Sequence, residues 1–553
     1  MRLSFVKWKF NRMLAVATII MAVNYLVMLS GSVIVGNLVG ADGLAALNVC
    51  TPAFGVASFL ASLLSVGSGL VFSRAMGEFD AKRAAGVFSQ SMVLAIGLGA
   101  AIYAAMRLGE AAFLDLTGVT GAVRAQAEHY WRWQAIAMAL LPSVLTLEAL
   151  VYADGDGAVA LLAGGVHVLG AIGLATFYTW RDGDAGGASL GTAVTMMAVL
   201  IVCSAHFYRA NSHLKFRDYF SVADLRETLA ASLADSTIYL CWGLLILIVN
   251  RFTVAQFGQG LLPVVALAAS IVEFSIVFDG VGEALIPLGG MYAGEGNRPA
   301  LRELANWSAF VATAEGLVCG AVLYLLAPQI AVAYGFGADG QLGSAVGMTH
   351  MLALAMPFMG LLMMMNTHYL VVRHVAFAVS VTVMKDFLCP CAGALALGAT
   401  MGERGLWLGF AAGYAVAAAY PFLSVLLRHG RSLFPWLLQP ADGKSMCWSV
   451  DLRKGEALEM LLSDIADFLN GQSVYGQVVG DVKAAVERLG RLTLAENPKG
   501  ARLECFATLE AAGVVRLVLR DDGRLADRTR QLGGDCRYLT ALGCNRTECR
   551  FEI

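Results

Sequence analysis

Three carboxylates interrupt the apolar stretch at residues 265–290, VALAASIVEFSIVFDGVGEALIPLGG: those of Glu273, Asp279 and Glu283. A charged side chain at the centre of a membrane helix costs about 2.5–3.5 kcal/mol on insertion scales, so such residues usually face a bundle interior or a water-filled cavity. On an unbroken α-helix Asp279 and Glu283 share a face, and Glu273 lies on another side. We predict a cleft or coupling role for Glu273 and Asp279. For Glu283 the alternative is contact with water or a loop near the helix end.

Carboxylates at this depth suit the binding of exchangeable cations. Burial disfavours the charged form of an acid, so such a group binds a proton near neutral pH and releases it when its surroundings change. A proton or sodium ion on the acid then competes with a cationic solute in the same cleft. We expect Glu273 and Asp279 to be the acids for which the ion and the solute compete.

Charged residues in other apolar stretches are further candidates. Asp235 is predicted to be either a cleft acid or the cap of a broken helix. Lys385 is either a cleft residue or the ion-pair partner of an acid in 265–290. Adjacent residues do not share a helix face, so a direct pair between Lys385 and Asp386 is not expected.

Uncharged polar residues and methionines complete the candidate cleft. The polar candidates are Asn24, Tyr25, Asn250, Asn366 and His368. For Asn366 and His368 a packing role is the alternative. The methionines at 363–365 suit a cleft for varied apolar compounds because thioethers adapt to shape, and core or lipid-facing positions are the alternative.

The composition places these residues in a membrane protein. Of 553 residues, 58% are hydrophobic and 14% are charged, against about 45–50% and about 25% in soluble domains. The formal net charge of −2 gives no indication of a nucleic-acid partner. We expect small-molecule and lipid partners instead.

Hydropathy predicts about twelve membrane spans, since a span needs about 20 apolar residues. Helices are expected because lipid cannot satisfy open backbone groups. The N-terminal run at 13–35 is too long for a signal peptide and is predicted to be a retained first span. The predicted spans lie near 13–35, 44–72, 87–107, 128–152, 157–180, 187–208, 228–254, 262–290, 304–328, 346–371, 375–398 and 404–427.

Lysine and arginine in the short loops predict the orientation, because cytoplasmic loops are enriched in both. With the N-terminus inside, the inner segments include Lys7, Lys82, Arg226 and Arg302 among many more, and the outer loops hold far fewer. The prediction is a multi-pass protein of the plasma (inner) membrane with both termini in the cytoplasm.

An internal repeat divides the membrane part. Gly40 has a counterpart at Gly258, and Gly77 has one at Gly294, an offset of about 217 residues or six spans. An even number of spans gives both halves the same orientation, related by an axis along the membrane normal. Two such bundles leave a cleft at the midplane, as in an alternating-access carrier.

Beyond about residue 446 the sequence predicts a small soluble α+β domain. Two stretches have helical spacing, 455–471 and 475–492, and three alternate like strands, 502–510, 514–520 and 547–553. The prolines and glycine of FPWLLQPADGKS indicate a boundary. We divide the chain into a six-helix bundle at 1–215, a second at 216–436, a linker at 437–448 and a cytoplasmic domain at 449–553.

The eleven cysteines are scattered without a CxxC spacing. The C-terminal segment also has no histidine, so a zinc site lacks its usual pattern. We expect free thiols in a reducing cytoplasm, with no metal and no required cofactor.

The first half resembles the multidrug and toxin extrusion (MATE) family. The resemblance rests on GSVIVGNLVGADGLAALNVCTPAF and GLVFSRAMGEFDAKRAA, and later on MMMNTHYLVVRHVAFAVSVTVMKDF and GLWLGFAAGYAVAAAY. It covers roughly residues 10–435 and implies export of organic, often cationic, compounds in exchange for protons or sodium. Many family members carry an aspartate where this chain has Gly31, so the resemblance does not extend to a cation site on that acid.

The C-terminal segment resembles the ATPase domain of histidine kinases and anti-sigma factors, the GHKL class. LVLRDDGRLAD matches the nucleotide box, which implies an adenine-reading role for Asp521 and a turn at Gly523. KAAVERLGRL resembles the magnesium-binding helix, with Glu487 near the upstream acid. Gly490 stands where the family has its magnesium-binding asparagine. Neither hydrolysis nor nucleotide binding is therefore expected.

The leading functional prediction is a secondary-active efflux antiporter that exports organic, cationic compounds. One alternative is a flippase for a lipid-linked molecule, which predicts a more basic cleft. The other is a membrane receptor whose C-terminal domain binds nucleotide or a cytoplasmic partner, which predicts an intact nucleotide box. The sequence has no hydrolase, triad or P-loop spacing, so an enzyme is not predicted.

Overall fold

The structure is a computed structural model. It describes residues 4–117, 120–258, 261–334, 336, 341–434, 437–438, 443–453, 456–497, 501–510, 513–532 and 535–553. The side chains of Asn24 and Asp235, two predicted site residues, lie outside this description.

Sixteen helices form the membrane part of the described chain. The first lobe holds α1–α7 and the second α8–α16. The helices are α1 Phe5–Leu38, α2 Ala41–Ser62, α3 Ser65–Gly77, α4 Ala81–Thr117, α5 Gly121–Ala153, α6 Gly157–Asp182, α7 Gly186–Ser204, α8 Val222–Phe257, α9 Leu262–Glu273, α10 Asp279–Glu295, α11 Arg298–Ala333, α12 Leu342–Ala353, α13 Met356–Val371, α14 Val375–Val383, α15 Cys389–Met401 and α16 Glu403–His429.

Each predicted span falls on one helix or on one interrupted pair of helices. A 3₁₀ turn, Phe274–Phe278, joins α9 to α10, and a π turn, Met384–Leu388, joins α14 to α15. Among the described residues, eleven helical stretches are long and apolar enough to cross a membrane. They do not include α1, which covers the predicted first span over 34 residues. The polytopic all-helical fold is therefore confirmed.

One pair of the repeated glycines, Gly77 and Gly294, meets where the two lobes contact each other. A Cβ atom on Gly77 of α3 would lie 2.2 Å from the carbonyl oxygen of Met291, and one on Gly294 of α10 would lie 2.2 Å from that of Arg74. The same offset relates Arg74 to Met291 and Gly77 to Gly294. Such a reciprocal contact is what a two-fold axis produces, as in isologous interfaces. The two bundles are therefore pseudo-symmetric about the α3–α10 crossing.

The lobes are closed at one face, called here the terminal face because α1 begins and α16 ends there. Close to it, Arg74 donates to the carbonyl oxygen of Val371 at 3.0 Å and pairs with Glu227. Deeper in the bundle, the described contacts between lobes include Gly67 N to Ser232 Oγ at 2.9 Å. Beyond the level of Tyr25, the far end of α1 packs within its own lobe, with Ile34 and Val35 against Leu47 and Ala175.

The connector between the lobes, residues 209–221, is bound to the first lobe. The carboxylate of Asp154 binds His206 Nε2 and both Nδ1 and the backbone N of His213, each at 2.8 Å. Burial raises the pKa of Asp154, but these hydrogen bonds outweigh it and hold the pKa below its usual range. Gln90 Oε1 accepts from Ser221 N at 2.7 Å, and Ser89 Oγ accepts from Arg217 N at 2.7 Å.

The C-terminal domain is a five-stranded antiparallel sheet in the order β1-β2-β3-β5-β4 with helices packed on it. Its elements are β1 Ser445–Asp451, α17 Ala457–Gly471, α18 Gln477–Glu496, β2 Arg502–Glu510, β3 Val514–Asp521, α19 Thr529–Leu532, β4 Asp535–Ala541 and β5 Cys544–Glu552. The predicted small α+β domain is confirmed. Strand β1 starts inside the predicted linker 437–448, because its pairing with β2 is a long-range contact that the local pattern does not reveal.

Two cysteines depart from the expected free thiols. Cys536 of β4 and Cys549 of β5 are register partners and form a disulfide. The expectation was wrong for this pair because it depends on strand register rather than on sequence spacing. The other nine cysteines, all within the described residues, are free.

The glycine crossing predicts a strong dependence on side-chain size. Replacing Gly77 or Gly294 by valine places methyl groups against the facing backbone, and overpacking of this kind costs about 1–3 kcal/mol. Thermal unfolding in detergent is expected to shift downward for both variants. Gly97→Val is the matched control, since nothing lies within 4 Å of a Cβ atom at that helical glycine. Equal melting of all three variants would contradict the crossing.

Candidate functional site

A cavity of about 260 Å³ lies within the second lobe. Side chains from α8, α9, the 3₁₀ turn, α10, α13, the π turn and α16 surround it. The lining residues are Ile238, Tyr239, Trp242, Val272, Glu273, Ser275, Ile276, Phe278, Asp279, Met359, Met363, Lys385, Asp386 and Tyr414.

Glu273 and Asp279 project into the same cavity. Glu273 ends α9, Asp279 begins α10, and the 3₁₀ turn lies between them. A 3₁₀ helix has 3.0 residues per turn, so residues six apart return to the same side. The expectation that Glu273 lies on another side was wrong because it assumed an unbroken α-helix. The side chain of Trp242 also hydrogen-bonds with Glu273.

Lys385 and Asp386 form a direct ion pair at the cavity wall. Lys385 Nζ lies 2.8 Å from Oδ1 and 2.6 Å from Oδ2 of Asp386, and the two side chains are only 9% and 12% exposed. Both residues lie in the π turn, whose wider winding changes the relative direction of neighbouring side chains. The expectation that adjacent residues do not pair was therefore wrong.

Aromatic and thioether groups complete the cavity wall. Trp242, Phe278 and Tyr414 bring rings to the lining, and Met359 and Met363 bring flexible thioethers. Thioethers adapt to the shape of irregular organic solutes. Aromatic ring faces also attract cations. The neighbouring methionines at 364 and 365 are fully buried in the helical core instead.

Two predicted residues lie close to the cavity without lining it. Tyr25 crosses from the first lobe: its hydroxyl donates to the carbonyl oxygen of Ser270 at 3.2 Å, and its ring lies 5.5 Å edge-on from that of Phe274. Glu283 lies on α10 one turn after Asp279, within electrostatic range of Tyr152 on α5. Both residues are therefore at the boundary between the lobes.

The remaining described candidates of the membrane part are packed elsewhere. Asn366 Oδ1 accepts a hydrogen bond from Thr382 Oγ1 at 3.2 Å. His368 is buried, with its ring 5.5 Å from that of Tyr369. Asn250 is half-buried on α8. None of the three lines the described cavity.

In the C-terminal domain, the predicted nucleotide residues have structural partners. Asp521 Oδ1 accepts from Gly523 N at 3.0 Å and Asn545 Nδ2 at 2.8 Å, and Oδ2 lies 3.3 Å from Arg528 Nη1. Glu487 pairs with Arg491 at 2.5 Å one turn along α18. Gly490 packs under Leu458 of α17, where a Cβ atom would meet the leucine at 2.9 Å.

Asp386, Trp242 and Tyr414 line the cavity but are not among the site residues that the sequence predicts. The signal for Asp386 was its charge in an apolar stretch, which alone makes a residue a functional candidate. Trp242 and Tyr414 gave no such signal, because aromatic residues are common in membrane helices.

Comparisons with known proteins agree with this architecture. Residues 17–176 match the MatE family model. A structure of MATE in complex with MaL6 superposes with a TM-score of 0.72 at 22% identity, covering 77% of this chain and 97% of that one. The fold is that of the MATE transporters.

Two further structures widen the comparison. An outward-facing conformation of a multidrug resistance MATE family transporter of the MOP superfamily gives a TM-score of 0.72 at 22% identity over 77% of this chain and 96% of that one. A MOP superfamily transporter from Pyrococcus furiosus, for which a reverse polarity of the binding pocket suggests a different function, gives a TM-score of 0.71 at 21% identity. That match also covers 77% of this chain and 96% of the other. None of the curated proteins matches this chain.

The Lys385–Asp386 pair predicts a non-additive effect on stability. Removing one partner of a buried ion pair costs about 3–5 kcal/mol, whereas replacing both by apolar groups is often neutral. Lys385→Met alone is expected to lower the melting temperature strongly in detergent. The double variant Lys385→Met/Asp386→Leu is expected to recover most of the loss. Additive losses would contradict a buried pair.

The carboxylate of Asp521 is already occupied by partners within its own domain, which predicts weak or absent nucleotide binding. A base edge at this carboxylate would have to displace Gly523, Asn545 and Arg528. We expect titration of the full chain with a fluorescent ATP analogue to give no saturable signal. Saturable binding that Asp521→Asn abolishes would contradict this expectation.

Proposed function

We propose that the chain is a secondary-active exporter of organic cations, driven by protons or sodium ions through alternating access. The cavity of the second lobe is proposed as the site where the coupling ion and the solute compete. Glu273 and Asp279 carry the exchange in this proposal.

The observation that supports the proposal is the charge of the cavity. Three carboxylates and one ammonium line it, those of Glu273, Asp279, Asp386 and Lys385. When all four groups are ionised, the cavity has a net charge of two negative units. Lys385 and Asp386 neutralise each other in their ion pair, so the excess charge belongs to Glu273 and Asp279. The excess of negative charge among partly buried carboxylates favours binding of a cation.

Competition follows from the shared site. A proton or sodium ion on Glu273 or Asp279 removes the negative charge that attracts a cationic solute. Solute binding in turn favours release of the ion. Aromatic rings and methionines around the acids supply the apolar contact that an organic solute needs.

The orientation proposed for this exporter places the terminal face in the cytoplasm. That face carries Lys7, Lys82, Arg226 and Arg302, and cytoplasmic loops are enriched in lysine and arginine. The lobes are closed there, so the proposed starting state is open toward the outside. The proposed location is the plasma (inner) membrane.

The flippase alternative is less well supported. A lipid-linked solute carries phosphate, which is bound best by arginine clusters and helix N-termini. The cavity has one lysine, and that lysine pairs with Asp386. The receptor alternative needs an accessible nucleotide box, and Asp521 is occupied within its own domain.

Flux measurements in proteoliposomes test the proposal. The wild-type chain is expected to export cationic dyes under an imposed proton or sodium gradient, and comparing the two gradients identifies the coupling ion. Glu273→Gln/Asp279→Asn is expected to lower gradient-driven flux by about ten-fold or more, equivalent to losing about 1.4 kcal/mol of interaction. The side chains remain similar in size, so folding should be retained.

The matched control is Glu315→Gln, which neutralises a carboxylate of α11 that does not line the described cavity. This variant is expected to retain wild-type flux. Unchanged export by the double variant under both gradients would refute the role of the two acids. Preferential movement of an anionic lipid-linked substrate would favour the flippase.

A further inference from the structure

The C-terminal domain contacts both lobes at the terminal face. On the second lobe, Tyr292 donates to Glu504 Oε1 at 3.0 Å, and Asn297 Nδ2 lies 3.7 Å from Cys447 Sγ. On α1, Phe5 N donates to Ser449 Oγ at 2.6 Å, Lys9 Nζ donates to the carbonyl oxygen of Leu542, and Trp8 lies 4.7 Å from the Arg502 guanidinium. The domain is therefore docked on the membrane part rather than tethered only through its linker.

Glu295, the last residue of α10, is the centre of this docking. Its side chain is fully buried and pairs with Arg520 and, at 2.6 Å, with Arg546 Nε. Its backbone carbonyl accepts from Arg516 Nη2 at 2.5 Å. Three arginines of the C-terminal domain thus converge on one residue of the second lobe.

Arg546 also binds the first lobe. Its two terminal nitrogens donate to the carbonyl oxygens of Met76 and Gly77, at the end of α3. Carbonyls in the last turn of a helix lack partners within the helix and attract cations. The guanidinium carbon lies 3.5 Å from the centre of the Phe79 ring. One side chain therefore joins α3 and α10 where the two lobes cross.

Arg546 remains charged in this position. Burial lowers its pKa to about 10, although Glu295 opposes the effect. At neutral pH the guanidinium is therefore protonated and its contacts are those of a cation. Separating a buried ion pair leaves an uncompensated charge, which is strongly unfavourable.

Opening of the terminal face requires these contacts to break. In alternating access the ends of α3 and α10 must move apart, and Arg546 cannot follow both the Met76–Gly77 carbonyls and Glu295. The domain must then leave at least one lobe before the face opens.

We propose that the C-terminal domain is a releasable lock that holds the terminal face closed, with Arg546 as the residue that joins the lobes. This inference rests on the proposed alternating-access function. Docked, the domain stabilises the state that is closed at the terminal face. Undocked, it permits the opposite state.

Hydrogen–deuterium exchange on the full chain tests the lock without relying on transport. Arg546→Ala is expected to accelerate exchange at residues 74–84 and 291–301 by about ten-fold, because local opening sets the exchange rate. Strands β3 and β5 are expected to keep their protection. Glu295→Gln, which removes the charge from the membrane side with little change in size, is expected to act in the same direction.

Arg550→Ala is the matched control. Arg550 lies on the same strand, is 42% exposed, and pairs with Glu548 inside its own domain. This variant is expected to leave exchange at both terminal-face segments at the wild-type level.

The lock is overturned if Arg546→Ala and Glu295→Gln leave exchange at these segments unchanged. It is also overturned if both variants remove protection from β3 and β5, because the residues would then serve only to fold the domain. Dye export by the wild-type chain decides the proposed function separately. If the wild-type chain exports no dye, the proposed transport function is refuted. The hydrogen–deuterium exchange result would still show whether Arg546 holds the terminal face closed.

Discussion

The direct backbone contact between α3 and α10 is the constraint on which the rest of the structure depends. Gly77 and Gly294 let each helix approach a carbonyl oxygen of the other, and even a Cβ atom at either position would clash with that oxygen. The contact places the pseudo-two-fold axis and closes the terminal face. It also brings the end of α3 next to Glu295, so that one arginine of the C-terminal domain reaches both. The docking surface exists only while the two helices stay together.

The second lobe uses irregular helices to assemble its charged cavity. Short 3₁₀ and π segments inside longer helices often occur at functional sites, because they change the direction of the side chains they carry. The 3₁₀ turn and the π turn both border the same cavity. The first brings Glu273 and Asp279 to one side, and the second brings Lys385 and Asp386 into contact. Local changes in helical winding thus gather four charged groups from two separate spans.

The sequence predicts the parts of this architecture that depend on local pattern. Hydropathy locates the spans, and glycine spacing reveals the repeat that the α3–α10 crossing displays. The sequence does not reveal that Glu273 and Asp279 point to the same side or that Lys385 pairs with Asp386. Both features depend on changes in helix type that the apolar pattern does not encode. Strand β1, the Cys536–Cys549 bond and the contacts of Arg546 are long-range, and no local pattern predicts them.

The binding of residues 209–221 to the first lobe restricts how the two halves are able to move. His213, Arg217 and Ser221 are all fixed on that lobe through Asp154, Ser89 and Gln90. The connector therefore belongs mechanically to the first lobe, and the free part of the link between the halves starts only at α8. For the proposed exporter, this places the pivot of any relative motion of the halves near the start of α8.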